Sequence, residues 1–134
     1  MSRQAIRRTI AAGTLTLSLG VAAAASPASG DPKAGEAIYA RCMACHSLTY
    51  NRTGPMHCGL FGRRAGTVPG FQYSEAMKHS GIVWNEKTLN EFLANPLKRV
   101  PGTAMGYAGI PDVKERRDLI AYLKWAGQSP LCKK

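Results

Sequence analysis

The stretch from Ser47 to Gly81 constrains this chain most. It runs through "RTGP", "CGLFGRRAG" and "TVPGF" and holds no apolar/polar alternation long enough to make a strand. So long a loop inside a small domain needs something to wrap around, and that something need not be protein. The flanking segments read as helices. Asp31 can cap a helix that starts at Pro32 and places Ala34, Gly35, Ile38, Tyr39 and Cys42 on one face. Asn85 can cap a second, with Leu89, Phe92 and Leu93 on its apolar face and Pro96 as its stop. Asp112 with Glu115 resembles a capping box for a third, whose stripe is Leu119, Ile120 and Leu123 and whose stop is Gly127. The pattern predicts three main helices joined by long loops, with the stripes forming the core.

The first thirty residues are read apart from the fold. Arg3, Arg7 and Arg8 precede an uncharged run from Ile10 to Ala25 and then a patch of small residues. That order describes a secretory signal peptide, and the run is shorter than the ~20 apolar residues of a membrane span. "AAA" ending at Ala25 and "ASG" ending at Gly30 both offer a cut site. The predicted organisation is a leader over residues 1–30, cut between about 25 and 30, and one domain over 31–134.

The chain of 134 residues carries 18 Lys+Arg against 8 Asp+Glu. Three of the basic residues and none of the acidic ones lie in the leader, which leaves a net charge of +7 after cleavage. Such a surface attracts acidic partners. Nucleic acid is not indicated, because no basic run exceeds two residues and no aromatic ladder accompanies one.

Export places the four cysteines, Cys42, Cys45, Cys58 and Cys132, where thiols end up in disulfides or attached to something. Cys42 and Cys45 form a Cys-x-x-Cys. A structural zinc site needs four ligands, commonly from two such pairs, and there is one. A redox dithiol needs the pair at a helix N-terminus, and this pair follows the end of the first helix. The third chemistry is Cys-x-x-Cys-His, the attachment signal for c-type haem. Each thiol adds to a vinyl group, and His46, next in the chain, is aimed at the iron. The macrocycle would supply the core that the loops lack.

The other axial position has several candidates in the residues alone: His57, His79 and the methionines. Met105 lies in "VPGTAMGYAG", a loop shaped by Pro101 and Gly102 between two helices. A thioether there would favour ferrous iron and fill the second axial site.

Taken in order, "CMACH", "TGP" at 53–55, "GLFGR" at 59–63, "PGF" at 69–71, "GIVW" at 81–84, "NP" at 95–96, "PGTAM" at 101–105 and "RRDLIAYLK" at 116–124 resemble a class I cytochrome c, close to mitochondrial cytochrome c and the short soluble bacterial cytochromes. The resemblance implies an all-α cytochrome c fold: three main helices, short helical turns and long loops around one covalent haem. It implies thioether links at Cys42 and Cys45 and axial ligands His46 and Met105. Pro55 would orient the His46 ring through its carbonyl, and Arg63, Tyr73 and Trp84 would hold a haem propionate. Gly35 and Tyr39 would meet Leu119 and Tyr122 where the first and last helices cross. Phe92 stands where the family often has Tyr, Met77 where it has Asn, Ala104 where a lysine is common and His57 where an apolar haem contact is usual. By the same fold Cys58 lies near the end of the last helix, which suggests an intramolecular disulfide with Cys132.

The implied function is a soluble, monomeric, periplasmic one-electron carrier rather than an enzyme. Its haem edge would be ringed by Arg41, Arg52, Lys98 and Arg99 and would meet acidic docking surfaces. The upstream partner would be a quinol-oxidising reductase or a dehydrogenase, and the acceptor a terminal oxidase. A photosynthetic reaction centre as acceptor, and service as the haem subunit of one dedicated dehydrogenase, are the alternatives.

Overall fold

The structure is a computed structural model that describes residues 29–133. The leader expected over 1–30 therefore lies outside the described residues save for Ser29 and Gly30. Five helices appear, α1 (Pro32–Tyr39), α2 (Glu75–Lys78), α3 (Glu86–Ala94), α4 (Pro96–Arg99) and α5 (Val113–Gly127). Three are the main helices expected, and α2 and α4 are single turns. Among the described residues there is no strand, and the only bridge joins Arg64 to Val83. No described helix is long and apolar enough to cross a membrane.

Local chemistry sets the helix boundaries. The Asp31 carboxylate accepts from the Lys33 amide at 2.9 Å, and Pro32 fills the first position, where an amide would go unpaired. The reciprocal capping box stands at α3: Asn85 Oδ1 accepts from the Thr88 amide, and Thr88 Oγ1 accepts from the Asn85 amide, both at 2.9 Å. Asn95 ends α3 in an extended conformation and caps α4, its side chain accepting from the Lys98 amide at 2.9 Å. At α5 the expected box is only half formed. Asp112 accepts from the Glu115 amide at 2.7 Å, but Glu115 does not return the bond. Its carboxylate takes a bidentate pair from Arg41 at 2.8 and 2.9 Å instead. Two charge-assisted bonds outweigh one bond to a backbone amide.

The core is built where α1 crosses α5. A Cβ on Gly35 would lie 2.0 Å from the Asp118 carbonyl oxygen and 2.7 Å from Tyr122 Cβ, so no other residue permits this approach. Tyr39 and Tyr122 pack with ring centroids 5.1 Å apart. The Asp118 side chain, almost fully buried, accepts from the Asp31 amide at 2.8 Å and from Lys114 Nζ at 2.6 Å, so it secures the start of α1. Buried Arg116 ties α5 to its other neighbours. It donates to Asn90 on α3 at 2.8 Å and to the carbonyls of Ile110 and Pro111 at 2.7 and 2.9 Å.

The long loop is closed by its own backbone. Gly62 donates to the Trp84 carbonyl and Ala65 to that of Ile82, each at 2.8 Å, while Trp84 donates back to Arg63 at 3.0 Å. His57 and Cys58 donate to the carbonyls of Ser47 and Leu48 at 3.0 and 2.7 Å. Cys58 and Cys132 are joined in a disulfide, with Cα atoms 5.1 Å apart and a sequence separation of 74. The tail is thereby fastened to the loop.

Two expectations follow. Cys132→Ser opens that cross-link and should lower unfolding stability by up to ~4 kcal/mol, the chain-entropy value for a loop of this length. Denaturant unfolding of the haem-loaded protein, with an unchanged visible spectrum before unfolding, measures it. The bonds from Lys114 and from the Asp31 amide hold the Asp118 carboxyl below the usual carboxylate range. A depressed folded-state pKa contributes stability that is present above about pH 4 and lost as pH falls through the folded value. Asp118→Asn should therefore be less stable at neutral pH and should flatten the acid limb of the stability curve below about pH 4.

Candidate functional site

The chain leaving α1 makes one further tight turn. Cys42 donates to the Tyr39 carbonyl at 2.8 Å, and Cys45 and His46 both donate to that of Cys42, at 3.1 and 2.9 Å. Neither Cys42 nor Cys45 is in a disulfide; the first is half-buried and the second exposed. Burial pushes the Cys42 thiol up. A redox dithiol sits at a helix N-terminus, and this pair follows the C-terminal end of α1. Cys58 and Cys132, bonded to each other, offer no second pair of zinc ligands.

His46 Nδ1 lies 2.8 Å from the Pro55 carbonyl oxygen. A carbonyl can only accept, so Nδ1 carries the proton and Nε2 keeps its lone pair. A Cβ on Gly54 would stand 2.3 Å from His46 Cε1 and 2.6 Å from each ring nitrogen, so the imidazole rests on bare backbone. Burial pushes the His46 pKa down, which keeps the ring neutral.

Beside this ring a cavity of about 520 Å³ opens, in the size range of a cofactor site. Every site residue read from the sequence lines it: Cys42, Cys45, His46, Pro55, Arg63, Tyr73, Trp84 and Met105. They come from the turn after α1, the long loop, the segment before α3 and the loop after α4. Met105 is half-buried, its amide donating to Thr103 Oγ1 at 3.2 Å. Of the other candidates for a second axial position, His79 is exposed beside Glu75 and does not line the cavity. His57 does line it, but on the His46 side: the two rings stack at 4.4 Å with an interplanar angle of 20°. Its Nδ1 meets the Tyr39 hydroxyl at 3.1 Å. Burial, with the His46 ring and the Arg63 guanidinium nearby, pushes the His57 pKa down to about 3.

The lining carries Arg41 and Arg63 but no carboxylate. Arg63 donates to the carbonyls of Cys58 and Met56 at 2.9 and 3.0 Å, and its buried Nε has no hydrogen-bond partner. Tyr73 packs edge-on to Phe71, and Trp84 edge-on to Phe92. A largely apolar space with an orphaned buried donor and no acid suits a flat apolar group that brings carboxylates of its own.

Residues 32–127 match the sequence profile of the cytochrome c family. The chain belongs to that family. It is 42% identical over 120 residues to cytochrome c2 of Blastochloris viridis, a match covering 87% of this chain and 92% of the relative. It is 49% identical over 98 residues to cytochrome c of Euglena viridis, covering 71% and 96%. Among solved structures it resembles cytochrome cH from Methylobacterium extorquens, with a TM-score of 0.70 and 45% identity over 72% of this chain and 99% of that one. The fold is accordingly the all-α cytochrome c fold, the cofactor is covalently attached haem c with its iron, and the function of the family is electron carriage.

In this cytochrome c the expected ring of cations is partly spent within the protein. Arg41 pairs with Glu115 at 2.8 Å and Arg99 with Glu91 at 3.2 Å, while Arg52 donates to the Met43 carbonyl. The His57 stack was not legible in the sequence. The one signal was a histidine at a position where the family resemblance implies an apolar side chain.

Gly54→Ala tests the seat of His46. The added methyl has nowhere to go but into the imidazole, so haem content per polypeptide, by alkaline pyridine haemochrome, should fall several-fold relative to the wild type.

Proposed function

We propose that the chain is an exported one-electron carrier in which Cys42 and Cys45 tether the haem and His46 and Met105 are its axial ligands. The observation that carries this is the convergence of the Cys42–His46 turn and the Met105 loop on one apolar cavity beside the unpaired Arg63 Nε. When bound, the haem supplies the couple between ferric and ferrous iron. The protein supplies the rest. The Pro55 carbonyl holds the His46 Nδ1 proton and so presents Nε2 to the cavity. Met105 offers a soft thioether that favours ferrous iron and leaves no axial position for a substrate. That separates a carrier from a peroxidase or a gas sensor, both of which need an open site. Arg63, Tyr73 and Trp84 would hold a propionate, which would give the buried Arg63 Nε an acceptor. Phe92 packs on Trp84 without a hydroxyl, which keeps the Met105 side apolar.

The leader over residues 1–30 sends the protein to the periplasm, where residues 31–134 act as a monomer. Partners dock through acidic surfaces: a reductase or dehydrogenase upstream and a terminal oxidase downstream. Docking is weak and brief, in the manner of small redox contacts. With Arg41 and Arg99 already paired, Arg52 and Lys98 carry more of the attraction.

The oxidised absorption spectrum at neutral pH tests the axial pair. The wild type should show the weak long-wavelength band of sulfur on ferric iron. Met105→Ala should lose it and lower the reduction potential by on the order of 0.2 V, a fraction of the ~0.8 V range that axial ligands command. A wild type without the band would instead mark an open-site haem protein. Oxidation by isolated membranes, with and without an oxidase inhibitor, tests the acceptor.

A further inference from the structure

The His46–Pro55 hydrogen bond fixes one atom of the imidazole but leaves its plane free to tilt about that bond. Two contacts bear on the flat of the ring. A Cβ on Gly54 would be 2.3 Å from Cε1 yet only 2.6 Å from both neighbouring nitrogens, so Gly54 lies over the ring face and not in its plane. The second contact is the His57 ring, stacked at 4.4 Å and 20°.

His57 is itself held more firmly than a filler residue requires. Its Nδ1 is bonded to the hydroxyl of buried Tyr39, on the helix that leads into Cys42. Its amide donates to Ser47 at 3.0 Å. The carbonyls on either side of it, those of Met56 and Cys58, are both taken by Arg63, and Cys58 is cross-linked to the tail. A branched aliphatic side chain would fill the same space without a plane and without a bond to Tyr39.

We propose that His57 is a positioning residue that sets the plane of the His46 imidazole, with the Tyr39 hydroxyl fixing the orientation of the His57 ring. The orientation of an axial imidazole decides how the unpaired electron of ferric haem is distributed, so the effect is magnetic before it is kinetic. This rests on His46 being an axial ligand, as proposed above.

The test uses the haem-loaded protein in its ferric state. EPR g values and the spread of haem-methyl NMR shifts both read the ligand plane, and comparing a flat with a branched replacement separates the plane from packing alone. His57→Leu should shift and broaden the g values and change the methyl spread. His57→Phe, which keeps a flat ring, should restore most of the wild-type pattern, and Tyr39→Phe should give a shift in the same direction as His57→Leu but smaller. An unchanged signal in His57→Leu overturns the proposal, and so does an equal shift in the Leu and Phe variants, which would make the residue filler. If His57→Leu does not mature, Tyr39→Phe decides, and a wild-type g tensor there overturns the proposal. A wild type without a low-spin His/Met signal would sink the axial assignment itself. A normal wild type with unresponsive variants sinks only the role of His57.

Discussion

The crossing of α1 over α5 depends on the space beside Asp118 that only a glycine at position 35 leaves. Everything that reaches the site from the N-terminal side is registered by that contact. Asp118 receives the Asp31 amide and so fixes where α1 begins. Tyr39, at the last turn of α1, packs on Tyr122 and reaches His57. Arg41, two residues on, is clamped to Glu115 in the first turn of α5. The turn that carries Cys42, Cys45 and His46 therefore leaves α1 from a frame fastened at both ends. One consequence is that the positions of the two cysteines follow from helix packing, while the loop they enter holds the imidazole through Pro55 and Gly54.

The opposite wall is made of loops, and their stability is of another kind. The segment from Ser47 to Gly81 forms no strand and only the single helical turn α2. It is held by backbone bonds across Arg64 and Val83, by Arg63 on the carbonyls of Met56 and Cys58, and by the Cys58–Cys132 cross-link. Of its apolar residues, Leu60, Phe71, Tyr73 and Met77 face a cavity of about 520 Å³. At the usual value per unit of buried apolar area, an apolar macrocycle in that space recovers burial that the chain alone cannot supply. Loop and cofactor are in this sense one folding unit, and the cross-link acts on the part of the chain least able to hold itself.

Much of this could be read from the sequence, for reasons that differ by residue. The helices were legible because their caps are local: Asp31, Asn85 and Asp112 act within three or four residues of themselves. The Cys42–His46 turn was legible because tethering one edge of a macrocycle fixes the spacing. Met105 was one of several candidates in the residues alone, singled out by its Pro- and Gly-shaped loop, while the Cys58–Cys132 pair lies so far apart in sequence that only the family resemblance suggested it. The half-formed box at Asp112 was misread because a local pattern cannot show that Arg41, distant in sequence, competes for Glu115. The stack of His57 on His46 was out of reach for the same reason: nothing in eleven residues of loop says that two rings will lie face to face.

The Arg41–Glu115 pair also bears on how this cytochrome c meets its partners. A net positive charge steers a protein toward an acidic surface, but the last few ångströms depend on which cations can still move to a new partner. Arg41 and Arg99 are each engaged by a carboxylate of the same chain, and Ala104 offers no charge. Freeing Arg41 for a partner would mean giving up its hold on α5. The bidentate geometry commits Arg41 to its structural role, so a docking role on the same side chain would compete with it. On the docking proposed above, attraction at long range would come from the whole basic surface, while close contact at the cavity would fall to exposed lining residues such as Ala44 and Ala104. Contact of that composition favours rapid dissociation over tight binding, which is what a carrier that must leave each partner requires.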